Sequence, residues 1–460
     1  MDDSPPDRVS QPGAVTERTV IEGGPVVAVD DSWTEFAEGH VVVEGDRIVA
    51  VGPGSAPPQD VPVRRIDATG CLVTPGLVNA HHHLYQWATR GHAVDSTLFE
   101  WLTALYPVWA RLDVETAHAA ASAGLAQLAR SGCTTASDHH YVFPRDGGDV
   151  FGAVVTAAER IGLRLHAVRG SMDRGRSQGG LPPDSVVEDR DEALAGTQQA
   201  IDSFHDPAPG SRVRVAVGPC SPFSVSAELM REAAELARGN GVRLHTHLAE
   251  TTTEEEQCRA EFGRTPVEYA EDLGWLGPDV WLAHGVHLSS SAIGRLAATG
   301  TGVAHCPSSN GRLGAGIAPV RGLLNAGAPV GLGVDGVASN ESGGLGEEMR
   351  QALLLARATG GPRALSVREA LRLATRGGAR CIGREDEIGS LEPGKLADIA
   401  VWRLGGLDHT GIADPVAALV LGRLPQVDTL LCGGIEVLTG EDVVEELDRA
   451  SARSRLVEVS

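Results

Sequence analysis

The chain alternates short apolar runs with stretches of helical periodicity. Eight runs, at residues 72–83, 133–140, 163–170, 213–220, 242–250, 280–286, 302–310 and 330–336, are rich in Val, Leu and Ala. They show little alternation and pass into polar residues at their C-terminal ends. Such near-continuous apolar character is what parallel strands covered on both faces require. Between the runs, 114–129, 227–238 and 289–298 carry apolar residues at helical spacing. Ser224 or Ser226 can cap the second of these, and Gly300 stops the third. Strand and helix in alternation imply right-handed crossovers, and eight units over roughly 250 residues fit a closed (β/α)8 barrel. The predicted fold class is therefore α/β, a TIM barrel at 71–384.

The flanks read differently. Residues 18–51, the segment LEPGKLADIAVW and the segment TLLCGGIEVL are strand-like with Gly and Asp turns. Neither end makes a sheet with a core alone, so 18–70 and 385–440 are expected to pair as one small β domain, a sandwich built from both termini. Residues 1–17 read as a loose tail and 441–460 as a terminal helix or tail. Two long loops, 84–113 with Trp87, Trp101, Tyr106 and Trp109, and 170–185, fall on the face of the barrel where ligands bind.

Composition narrows the chemistry. The net charge of −22 over 460 residues argues against nucleic acid or an anionic membrane as partner, and no apolar run reaches the roughly 18 residues of a membrane span. The first residues lack a basic start and an apolar segment, so no secretory signal is expected. Seven scattered cysteines without a CxxC point to a reducing cytoplasm. Of the 39 basic residues only Lys395 is a lysine. A P-loop, a Schiff-base enzyme and a pyridoxal enzyme each lose their central residue on this count.

The strand ends supply the candidate site. His81, His82 and His83 end the first run, His245 and His247 lie in the fifth with Glu250 three residues on, His284 ends the sixth and Asp335 the eighth. C-terminal strand ends converge in a barrel. Alternation puts His81 and His83 on one face and His82 on the other. His245 and His247 also share a face, and His247 is preferred because it lies nearer the strand end. His81, His83, His247 and Asp335 then form a donor set suited to Zn²⁺, with iron fitting the same ligands. A metal lowers the pKa of bound water towards about 7. Glu250 can move protons and His284 can stabilise the attacked centre. A closed structural site would use Cys, which this set lacks. There is no HExxH and no PCxxC.

Taken together, TPGLVNAHHH, HTHLAE, LAHGV, AHCPSSN, GLGVDG and EPGKLADIAVW resemble the amidohydrolase superfamily over about residues 18–440. The resemblance implies a (β/α)8 barrel with a small β domain from both termini. Members with two metals carry a lysine at the end of strand 4; here that strand reads VRVAVGPCSP, so the mononuclear deaminase branch fits. Within it, HHHLYQ, SDHHYVFP, GGLPPDSVVE and PCSPFSVS are most similar to the 8-oxoguanine deaminases, with triazine hydrolases and pterin deaminases next. The implied reaction releases ammonia from a nucleobase-like small molecule. In it Glu250 protonates the ring, His284 holds the water and Asp335 takes its proton. The resemblance also implies a homo-oligomer, a dimer in the simplest case. Gly285 departs from the pattern, since near relatives often carry Cys there. Substrate contacts are assigned to Gln86, whose amide can donate and accept on one ring edge, to Arg169 and His139 at strand ends, and to Trp109 or Tyr106 as a stacking platform.

Overall fold

The structure is a computed structural model and describes residues 17–437; the expected terminal tails fall almost wholly outside them. Eight parallel strands close into a barrel in chain order: β1 (Leu77–Asn79), β2 (Cys133–His140), β3 (Arg164–Ser171), β4 (Val213–Pro219), β5 (Arg243–Leu248), β6 (Val280–His284), β7 (Gly302–His305) and β8 (Val330–Leu332). Their burial is almost unbroken, which is why the sequence shows runs rather than alternation. Beyond β1 and β8, His82–His83 and Asp335–Gly336 pair in parallel as a two-stranded extension of the wall. It brings the histidine motif and the aspartate together.

The run at 72–83 is three strands, not one: Cys71–Pro75, Leu77–Asn79 and His82–His83. Cys71–Pro75 leaves the barrel and joins the outer sheet, between Arg18–Val27 and Ile399–Arg403. An apolar run does not record the break between the first two, because both are buried; Pro75–Gly76 does. A Cβ on Gly76 would lie 2.3 Å from the Thr134 side chain, so only glycine lets the chain step from sheet to barrel here. The outer sheet has eight strands drawn from both chain ends, with its own core around Ile21, Val41, Val73 and Ile399.

The helices follow their signals. Val114–Arg130 is capped by Asp113, Ala227–Gly239 by Ser226, and Ser290–Thr299 runs from Ser289 to Gly300. The long loop at 84–113 is largely helical instead: a 3₁₀ turn at Leu84–Thr89 and a helix at Leu98–Trp109. Leu98, Trp101, Leu102, Leu105 and Tyr106 recur at i, i+3, i+4, i+7 and i+8 and are buried. That stripe is the signal a reading of the segment as loop passes over.

Candidate active site

The C-terminal ends of β1, β5, β6 and β8 bring the candidate residues within touching distance. Asp335 Oδ1 lies 3.3 Å from His81 Nε2 and 3.2 Å from His83 Nε2. The Nε2 atoms of His83 and His247 are 3.0 Å apart. His284 Nε2 stands 3.6 Å from Glu250 and 4.0 Å from Asp335 Oδ2. Ala249, His284 and Asp335, all at strand ends, have φ of 54°, 72° and 63°. Left-handed backbone costs roughly 1–3 kcal/mol at a non-glycine residue and clusters where function holds it in place. Gly285 follows at φ 55°, and a Cβ there would lie 3.0 Å from Val303. Glycine therefore relieves the turn that His284 begins.

Backbone carbonyls fix how the rings face. His83 Nδ1 donates to His139 O at 2.7 Å and His247 Nδ1 to Cys220 O at 2.7 Å. In the neutral rings each Nε2 then presents a lone pair, and the two lone pairs face each other. His245 donates from Nδ1 to Trp281 O, so its Nε2 accepts from His81 Nδ1 at 2.8 Å. That leaves a third lone pair on His81 Nε2, buried without a hydrogen-bond partner. Burial holds His81 and His247 in the neutral form, well below the usual histidine range. Three lone pairs and an anionic oxygen converging in a buried space repel one another unless a cation lies between them, and imidazole with carboxylate is the donor set of a divalent transition metal. The donor atoms of His81, His247, His284 and Asp335 all lie within 4.8 Å of one another, so the residues fit such an ion. His245, outside this set, instead orients His81 from behind.

A narrow cavity over these groups is lined by His83, Gln86, Trp101, Cys220, Glu250 and Asp335, among others. Burial, reinforced by the Asp335 charge, pushes Glu250 up to about 8. His284 Nδ1 pairs with Asn310 Oδ1 at 2.9 Å, so its Nε2 can accept from whatever fills the cavity. Asn310 sits on a short helix, Pro307–Arg312, since β7 already ends at His305. Ser309 donates to Asp335 Oδ2 at 2.6 Å.

Of the expected substrate contacts, the structure brings Gln86 and Tyr106 to the cavity. The Gln86 side chain is buried with neither amide atom partnered. Arg169 is taken by Glu188, at 2.6 and 2.7 Å through two guanidinium nitrogens, and stacks on Phe143. A bidentate partner leaves no free fork for a ring oxygen. His139 stacks on His247 at 4.9 Å and bonds Gly218 O, so it braces the donor set. Trp109 packs edge-on against Tyr85, Trp101 and Tyr106 and donates to Thr89, one layer behind the cavity. Trp101 and Tyr106, with Leu98 and Leu102, form the roof instead, facing Tyr141 and Phe223.

The donor set, the barrel and the sequence agree with one family, whose model, the amidohydrolase family, matches residues 72–437. The chain belongs to the amidohydrolase family. It is a hydrolase, as that membership entails. It is 47% identical to the 8-oxoguanine deaminase of Pseudomonas aeruginosa PAO1, over 91% of this chain and 93% of that one. It is 38% identical to an isoxanthopterin deaminase of an unknown prokaryotic organism, over 93% and 92% of the two chains. Among solved structures, the atrazine chlorohydrolase of Arthrobacter aurescens TC1 complexed with zinc superposes with a TM-score of 0.90. That alignment covers 94% of this chain and 100% of the other, at 34% identity. No helix among the described residues is long and apolar enough to cross a membrane.

Proposed function

We propose that this hydrolase acts on a C–N bond and deaminates 8-oxoguanine, giving urate and ammonia. The observation that carries the reading is the 47% identity to an 8-oxoguanine deaminase along nearly the whole of both chains. His83, His247, Glu250, His284 and Asp335 line the cavity, which supports the reading. His81, His83, His247 and Asp335 would hold one zinc ion, which supplies Lewis acidity to activate water. His83 is preferred to His284 as a ligand because its Nε2 is 3.0–3.2 Å from His247 and Asp335, whereas His284 faces Glu250.

Asp335 accepts a proton from the attacking water, whose oxygen adds to the ring carbon bearing the amino group. Glu250, protonated at the start, gives its proton to the adjacent ring nitrogen. His284, oriented by Asn310, holds the water and then the new hydroxyl through Nε2. Return of a proton to the amino group lets ammonia leave and restores the ring carbonyl. Gln86 can meet both a donor and an acceptor on the ring edge, as its unpartnered amide requires. The roof of Trp101, Leu102 and Tyr106 excludes bulk water, which strengthens each charge interaction beneath it. All seven cysteines are buried and free, which suits a reducing cytoplasm as the compartment.

A pterin carries a 2-amino group beside a ring carbonyl, and the isoxanthopterin deaminase relative at 38% identity makes it the second reading. Ammonia and chloride release by the zinc-loaded protein from 8-oxoguanine, guanine, isoxanthopterin and a chlorotriazine separates them. Ammonia is expected fastest from 8-oxoguanine. Faster release from the pterin, or chloride from the triazine, overturns the substrate assignment.

A further inference from the structure

At the end of the barrel opposite Asp335, a cavity of about 230 Å³ opens where β8 begins. One wall is apolar, from Leu324, Pro329 and Leu373; the other carries Arg372, Arg376 and Arg380 together with the carboxylates of Asp31 and Glu385. These arginines recur every four residues along a helical segment that includes a π-helical stretch, Leu373–Gly377. The segment is pressed onto the barrel floor backbone to backbone: a Cβ on Gly377 would lie 2.2 Å from Val330 O, and one on Gly378 2.4 Å from Val78 O. Single π turns inside helices are frequent at functional sites.

The three guanidinium groups are not equally engaged. Arg376 holds both oxygens of Asp31, at 2.6 and 3.1 Å. Arg380 reaches Glu385 at 3.7 Å and is otherwise exposed. Arg372 lies over the Trp33 ring at 4.4 Å and makes one long bond, 3.3 Å, to Asp30 O. Its Nε is buried without a partner, and among the described ion pairs it has none. Trp33 keeps a left-handed φ of 53° in the turn that presents it to Arg372. A cation fixed against an aromatic ring, without a carboxylate partner and beside an apolar wall, suits an oxyanion.

We propose that this cavity is a second binding site, for a small organic anion whose carboxylate or phosphate meets Arg372 and Arg380 while its apolar body rests on Leu324, Pro329 and Leu373. The site shares no residue with the catalytic cavity, so it stands whether or not the substrate assignment does. The test uses the full-length, metal-loaded protein and two probes, benzoate and inorganic phosphate, titrated at fixed ionic strength against chloride. Thermal midpoint is read for the wild type, Arg372→Gln and Arg380→Gln. The expected result is a saturable rise with benzoate in the wild type, tighter than with phosphate. The midpoint for binding should move at least tenfold higher in both variants, with turnover in the absence of added anion unchanged. Arg380 is exposed, so its variant reports even if Arg372→Gln fails to fold. No saturable rise with either probe, the same response in wild type and variants, or a response to phosphate with none to benzoate overturns the proposal.

Discussion

Glu250 has an environment that a proton carrier needs. A buried carboxyl beside a second carboxylate keeps its proton at neutral pH, and burial is the larger cause. Replacing it by Gln keeps the shape and removes the titration. Glu250→Gln should retain its metal by elemental analysis and lose about 10²–10⁴-fold in kcat, the usual scale of acid–base catalysis. Retained turnover would remove Glu250 from the proton path. The pH dependence has a definite sign. The acid form that donates is full below the pKa and lost as pH rises through it. The Asp335 charge is one cause of the shift, and a bound cation offsets that charge, so the falling limb of kcat is expected at or below about pH 8. A pH–rate profile from 6 to 10 that rises through this range would contradict the donor role.

At the scale of elements, strand ends were legible and their neighbours were not. His81, His83, His247, Glu250, His284 and Asp335 can be found in the sequence because a barrel sends every strand's C-terminal end to one place, so motif positions alone imply convergence. The roof at 84–113 lies outside what strand ends reveal, although its apolar stripe follows a helical period. Asn310 is not legible, because one apolar run at 302–310 spans the end of β7 and the start of a helix. Arg169 shows a different limit. Its place at the end of β3 was correctly legible, but its partner, Glu188, lies beyond the loop that follows, and sequence spacing does not rank an ion pair against a ligand. The pair is nearly buried, with side-chain exposures of 6% and 17%. Removing one member leaves the other charge stranded, which costs about 3–5 kcal/mol. Arg169→Met should therefore lower the thermal midpoint while the KM of the folded fraction stays within about twofold. A large KM change with unaltered stability would restore Arg169 as a substrate contact.

At the scale of the whole molecule, the outer sheet and the barrel are joined by a contact as deeply buried as the catalytic cluster. Arg164, from β3, is enclosed to 1% exposure and donates to Asp398 Oδ1 at 3.0 Å. Asp398 directly precedes the sheet strand Ile399–Arg403 and also accepts from Gly433 N at 2.8 Å. The guanidinium is held further by the carbonyls of Gly210 and Ser211, each at 2.9 Å. One carboxylate thus supplies the counter-charge for a buried cation and anchors the two segments that the C-terminal part contributes to the sheet. Replacing both members by apolar residues could be neutral, because the desolvation cost of each charge vanishes with it; removing Asp398 alone cannot. Asp398→Ala leaves Arg164 charged in a dry interface and should destabilise by about 3–5 kcal/mol in denaturant titrations. The lesion lies at the N-terminal end of the barrel strands, away from His81, His247 and Asp335. Turnover per folded molecule, and metal content, should match the wild type at temperatures below the new transition. The Arg164→Met, Asp398→Leu double variant should recover most of the lost stability. If the double variant is as unstable as Asp398→Ala, the joint depends on hydrogen bonds to Gly433 and Ser211 rather than on charge. If Asp398→Ala keeps its stability but loses metal, the sheet positions the C-terminal end of the barrel through the strands rather than merely covering its base.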